Sequence, residues 1–146
     1  MTKKPRSHCP INFSLESFGD KWSLLILRDI LFRGKKTYGE FLKSEEGFST
    51  NILAARLAHL ESEGILEKRP HPEDARKDIY ALTEKGLDLI PLLFEMMLWS
   101  AKHDVKSEAK RITRLLGMIR SDNRGLSQSI MEKARRGEAI FPEYLD

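Results

Sequence analysis

The side chains best suited to chemistry fall in four places, and three of them suit a polyanion. Ser49, Thr50, Asn51, Ala55, Arg56 and His59 lie together in FSTNILAARLAHL. Ser49 and Thr50 offer hydroxyls and amides to a phosphate at a helix start. Asn51 carries the paired donor and acceptor that match an adenine edge, and Ala55 is small enough to admit a thymine methyl. Arg56, at the side of the helix, suits a phosphate or a base near the groove edge, with His59 flanking. Arg76 and Lys77 stand side by side in PHPEDARKD; arginine gains from the strong negative potential of a narrow minor groove, and Asp74 can steady it. Lys35 and Lys36 are further phosphate contacts. Each charged group has a plainer reading as a solvated surface.

The fourth place is Cys9, the chain's one cysteine. It precedes Pro10 close to a helix start, where positive potential, with Arg6 and a protonated His8, favours thiolate. A thiolate can become a sulfenic acid, add to a quinone or aldehyde, or pair with the partner subunit's Cys9. The alternative is an inert, half-buried thiol packing the first helix. The histidines His8, His59, His71 and His103 are scattered. No spacing matches a zinc site, no phosphate loop or nucleophile elbow is present, and no cofactor is implied. An enzyme is not expected.

These groups need elements to hold them. Leu53, Leu57 and Leu60 recur at i, i+4, i+7, so a helix capped by Ser49 or Thr50 buries them. With Leu53 inward, Asn51, Ala55, Ala58 and Ser62 face out, flanked by Ala54 and His59. Glu63-Gly64 ends the helix. Strands are predicted over Leu66–Arg69 and Ile79–Leu82, with the polar loop between them. A new helix begins at Thr83. Helix, strand, charged loop, strand, helix is the order of a recognition helix and wing. The fold class is mainly α with a small β-hairpin: a winged helix-turn-helix with a C-terminal helical extension.

Upstream, Asn12 or Ser14 can cap a short helix that Gly19 ends. Asp20 caps KWSLLILRDILFR, apolar around most of its circumference and so central to a core. Lys35 to Thr37 form a short strand or extended link, and a brief helix follows with Tyr38, Phe41 and Leu42 inward. Downstream, the helix from Thr83 carries Pro91 inside it, which predicts a kink. Two more helices are expected, one capped by Ser107 and one from Leu126 to near Gly137, with a turn over Ser121–Gly125. The expected organisation is a flexible basic arm over 1–8, a DNA-binding domain with a long kinked dimerisation helix over 9–106, and the extension over 107–146.

Composition is that of a globular chain, 40% hydrophobic and 32% charged. No apolar run reaches the length of a membrane span and the start lacks a signal-peptide core, so a cytoplasmic protein without a membrane partner is expected. The net charge of +3 comes from the tail: residues 1–100 carry 15 basic and 15 acidic side chains, residues 101–146 carry 10 and 7. Nucleic-acid binding must therefore rest on local patches rather than on the total.

From Cys9 to about Trp99 the chain resembles the HxlR-type family of bacterial winged-helix transcription regulators. The resemblance rests on Cys9-Pro10, GDKWSLLILRDIL, YGEFL, FSTNILAARLAHLESEGIL and YALTEKGLDLIPLL, in order and closely spaced. It implies a homodimeric DNA-binding regulator, often responsive to electrophiles or oxidants through a cysteine near the N-terminus. Two features depart from the pattern. PEDARKD resembles the wing of MarR-type regulators, where an Asp two residues before an Arg steadies it for the minor groove. The tail beyond Lys106 exceeds the family minimum. The expected activity is binding of double-stranded DNA at an imperfect palindrome with half-sites about one helical turn apart, in repression rather than polymerase recruitment. The competing reading is a winged-helix protein-interaction module without a DNA role.

Overall fold

The computed structural model describes residues 4–136 and residue 138. Residues 1–3 of the expected arm, and 137 and 139–146 of the expected extension, lie outside the described residues. The chain divides into two compact units at Glu84/Lys85, whereas the sequence reading placed its boundary near Lys106.

In the first unit, α1 spans Pro10–Phe18. It starts earlier than the expected caps Asn12 and Ser14, because Pro10 in the first turn loses no hydrogen bond by lacking its N–H. Cys9 is the N-cap residue, and its carbonyl accepts the Phe13 amide at 2.9 Å. Gly19 ends α1 in a turn so tight that a Cβ there would lie 2.4 Å from Leu15 Cα. Asp20 then caps α2, Lys21–Arg33; its Oδ1 accepts the Trp22 and Ser23 amides at 2.9 and 3.0 Å. Ile26, Leu27 and Leu31 of α2 are buried, and Gly34 stops the helix at φ +64°.

Residues 35–37 are a link rather than a strand: the sheet has two strands, and the Lys36 carbonyl accepts the Tyr80 amide at 2.8 Å. Thr37 caps α3, Tyr38–Leu42, by accepting the Glu40 amide. Ser49 caps α4, Thr50–Ser62, and accepts the Ile52 amide at 3.2 Å. Leu53, Leu57 and Leu60 are buried as their spacing predicts, and α4 packs on α2, α3 and the hairpin. Strands β1, Leu66–Pro70, and β2, Asp78–Leu82, pair antiparallel with Leu66 opposite Leu82 and Pro70 opposite Asp78. Each is one residue longer than expected.

In the second unit the single kinked helix expected from Thr83 is two helices. α5 covers Glu84–Leu87 and α6 covers Ile90–His103. Pro91 falls in the first turn of α6, where its ring fits and its missing N–H costs nothing. It therefore starts a helix instead of bending one. A 3-10 turn over Glu108–Ile112 replaces the helix start expected at Ser107 and leads into α7, Thr113–Arg135.

The turn expected over Ser121–Gly125 is reduced to one residue, Asp122, extended at φ −159° and ψ 81°. Its carboxylate accepts the Gly125 amide at 3.0 Å, so Asp122 caps the second half of α7 directly and no longer connection is needed. α7 packs on α6, where the Asn123 amide donates to the Pro91 carbonyl at 3.2 Å and to Glu95 at 2.8 Å. Among the described residues no helix is long and apolar enough to cross a membrane.

Candidate nucleic-acid interface

Helix α4 presents one polar face of small side chains. Asn51, Ala54, Ala55, Ala58 and Ser62 are exposed, opposite the buried leucines. Ser49 and Thr50 stand exposed at its start. The Tyr38 hydroxyl donates to the Thr50 carbonyl at 3.1 Å, tying α3 to that first turn. Small side chains allow a close approach by a duplex, and an exposed Asn at a helix start can reach a base edge.

The loop between β1 and β2 is ordered by its own hydrogen bonds. The Lys77 amide donates to the Asp74 carbonyl and the His71 amide to the Lys77 carbonyl, both at 3.0 Å. The Glu73 amide donates to His71 Nδ1 at 3.0 Å. Arg76 projects from this turn with its side chain 90% exposed, held by Asp74. Hydrogen bonds from the Arg76 side chain and amide keep the Asp74 carboxyl below its ordinary range. Lys77 is exposed beside it.

Lys68 and Arg69 on β1 are exposed as well, two wing cations the sequence reading did not single out. Arg69 pairs with Glu67, and the Lys68 ammonium lies 6.0 Å from the Tyr80 ring centroid. Strand alternation alone would not have separated them from ordinary surface charge. Lys36 is exposed on a shallow cleft with Thr37 and Glu40 on one side and His71, Pro72 and Glu73 on the other.

Two of the candidate residues, Lys35 and His59, are committed to partners inside the protein, and a third, Arg56, is partly engaged. Lys35, expected on a phosphate, turns inward: its ammonium lies 2.9 Å from Ser44 Oγ and 3.4 Å from Asp29 Oδ2. Asp29 is fully buried, and a buried carboxylate needs cations close by. Arg28 and Arg33 complete its surroundings. His59, expected to flank the reading face, directs its imidazole at the end of α1, with Nε2 3.0 Å from the Glu16 carbonyl and 3.1 Å from that of Ser17. Arg56, expected at the groove edge, places Nε 3.4 Å from the Asp20 carboxylate, although its side chain stays 41% exposed.

A second ionic tie has no signal in residue spacing. Arg28 donates to both carboxylate oxygens of Glu46, one at 2.8 Å, and Arg33 donates to Glu45 at 2.8 Å. The Arg28 bonds hold the Glu46 carboxyl down at about 2. Burial would lower Arg28, but its bonds to Glu46 and Asp29 outweigh that and raise it. Together these contacts fasten α2 to the turn between α3 and α4.

Cys9 is exposed, which departs from the half-buried alternative. The nearby backbone amides of Asn12 and Ile11 hold the thiol below its ordinary value. Cys9 thus stands at the N-cap of α1, a helix start where thiolate is favoured. Among the described residues no three His, Cys, Asp or Glu side chains are grouped to hold a metal ion.

An HTH-type transcriptional regulator of Synechocystis is 38% identical over 88 residues, a match covering 60% of this chain and 64% of that protein. The crystal structure of PA1607, a putative transcription factor, shares 37% identity at a TM-score of 0.63, with 70% of each chain covered. The oxidized form of the redox regulator HypR shares 29% identity at a TM-score of 0.58, over 65% of this chain and 97% of that one. The model of the HxlR-like helix-turn-helix matches residues 17–108, a span that holds α2, α3, α4, the wing and α6. With its capped recognition helix and charged hairpin in that order, the chain belongs to the HxlR-like helix-turn-helix family, whose members are transcription regulators and not enzymes.

Proposed function

We propose that this regulator acts in the cytoplasm as a homodimeric repressor, binding an imperfect palindrome and releasing it when Cys9 reacts with an oxidant or electrophile. The observation that carries the DNA reading is the pairing of the exposed Asn51–Ala55–Ala58 face with the adjoining wing and its projecting Arg76. In this reading α4 enters the major groove, Asn51 meets a base edge, and Ser49, Thr50, Lys36 and Lys77 contact phosphates. Arg76 enters the minor groove.

The homodimer is supported by large apolar side chains exposed in each unit. Leu92, Met96 and Trp99 share one side of α6, and Ile11, Phe13 and Leu15 are exposed on α1. A second copy would cover such surface, which single soluble chains seldom expose in stripes. Bound across two half-sites, the dimer would exclude polymerase from an overlapping promoter. The Cys9 response is supported by exposure and a lowered thiol value; an electrophile's carbon would bond to the thiolate sulfur.

The test is a fluorescence-anisotropy titration of the DNA upstream of the protein's own gene, at two salt concentrations, with random DNA as the control. Specific binding should weaken steeply with salt. Asn51→Ala should relax preference at one or two base pairs, by about 1–3 kcal/mol each. Equal loss on specific and random DNA would remove Asn51 from base reading. Failure to distinguish the two DNAs in the parent protein would remove the operator reading itself.

A further inference from the structure

We propose that His59 is a positioning residue that couples the seating of the recognition helix to the first helix of the chain. One nitrogen, Nε2, stands 3.0 and 3.1 Å from the carbonyl oxygens of Glu16 and Ser17. Carbonyls only accept, so Nε2 carries the proton and donates to both. Glu16 and Ser17 lie in the last turn of α1, whose carbonyls lack amide partners within the helix. A side chain of α4 therefore caps the carboxyl end of α1, the end that favours a donor.

A second tie lies one turn earlier on α4, where Arg56 pairs with Asp20, the residue that caps α2. The turn between these two caps contains Gly19, which has no room for a Cβ. At its other end α1 is capped by Cys9. Glu16 also accepts the Arg6 amide through its carboxylate at 3.2 Å. One residue of α1 thus holds the segment before Cys9 by its side chain and α4 by its carbonyl. The α1 start and α4 are thereby joined through hydrogen bonds to one residue of α1, a network of the kind that can carry coupling between sites. Any role in regulation rests on the reading of Cys9 as the responsive group.

The experiment is amide NMR on the full chain before and after alkylation of Cys9 with N-ethylmaleimide, in the parent, His59→Gln and His59→Phe. Gln keeps a donor near the same place; Phe keeps the ring and loses the donor. Alkylation should shift α4 amides in the parent and in His59→Gln and leave them unshifted in His59→Phe. Unshifted α4 amides in the parent, or equal shifts in His59→Phe, overturn the coupling. DNA affinity after alkylation, taken relative to each variant's own unmodified value, should fall about fivefold or more in the parent and little in His59→Phe. If the parent shifts its α4 amides but keeps its affinity, the sensor reading fails while the coupling stands.

Discussion

Asp74 grips Arg76 at three points: Oδ1 accepts the Arg76 amide and Nε at 3.1 Å each, and Oδ2 accepts Nη2 at 3.3 Å. An exposed arginine ordinarily loses side-chain freedom on binding, and this grip removes part of that freedom beforehand. Arg76→Ala should weaken DNA binding and reduce the salt slope by about one. Asp74→Ala should also weaken binding while leaving the slope near the parent value, because the cation remains. The Asp74 carboxyl lies below its ordinary range, so the grip is complete above that range and lost only as pH falls through the lowered value. The Asp74→Ala effect should therefore be constant from pH 6 to 8; a titration showing strong variation there would assign the effect elsewhere.

Lys35 provides the opposite case. Its ammonium serves Asp29 and Ser44, so Lys35→Met should cost about 2 kcal/mol of folding stability, the scale of a lost charged hydrogen bond. The salt slope of DNA binding should not change. Urea unfolding and a salt titration of the same variant separate the two roles, and a slope lowered by one would return Lys35 to the phosphate contacts.

Glu46→Gln tests the tie between α2 and the turn before α4. The bonds from Arg28 hold the Glu46 carboxyl at about 2, below its ordinary 4.5. A depressed carboxyl contributes stability that is present above its unfolded value and is lost as pH falls through the folded one. At neutral pH the substitution should cost about 1–2 kcal/mol, because the pair is partly exposed. Denaturant curves of parent and variant should converge as pH approaches 2. A difference that persists there would point to packing rather than charge.

For Cys9, the amides of Asn12 and Ile11 favour the thiolate. Alkylation by iodoacetamide should rise with pH through a midpoint below that of a free cysteine in an unfolded peptide. Cys9→Ser should retain DNA binding and lose sensitivity to oxidants and quinones. Sensitivity that survives in Cys9→Ser would end the sensor reading.

What the sequence revealed depended on how local the determining forces were. The α4 leucine stripe, the Ser49 and Asp20 caps and the hairpin all follow from contacts within a few residues, and all were legible. Pro91 misleads because a proline inside an apolar pattern can bend a helix or begin one, and Gly86, whose carbonyl accepts the Leu89 amide at the break, lies within α5 rather than after its end. Asp122 hid its turn because a single capping carboxylate did the work expected of several loop residues. Lys35 reads outward because an extended link does not show which way its side chain turns, and His59 because helical geometry gives only a direction. Their partners, Asp29, Ser44, Glu16 and Ser17, lie too far along the chain for spacing to reveal. Asp74 and Arg76, two residues apart, were within its reach.

The bond from the Tyr80 amide to the Lys36 carbonyl also bears on colloidal behaviour. An open strand edge is a template onto which foreign polypeptides can add. Here the outer margin of β2 is already met by the backbone of the link, and β1 ends in Lys68, Arg69 and Pro70, residues that repel or cannot continue such addition. A two-stranded ribbon can thereby project into solvent at high local concentration without seeding fibrous self-association.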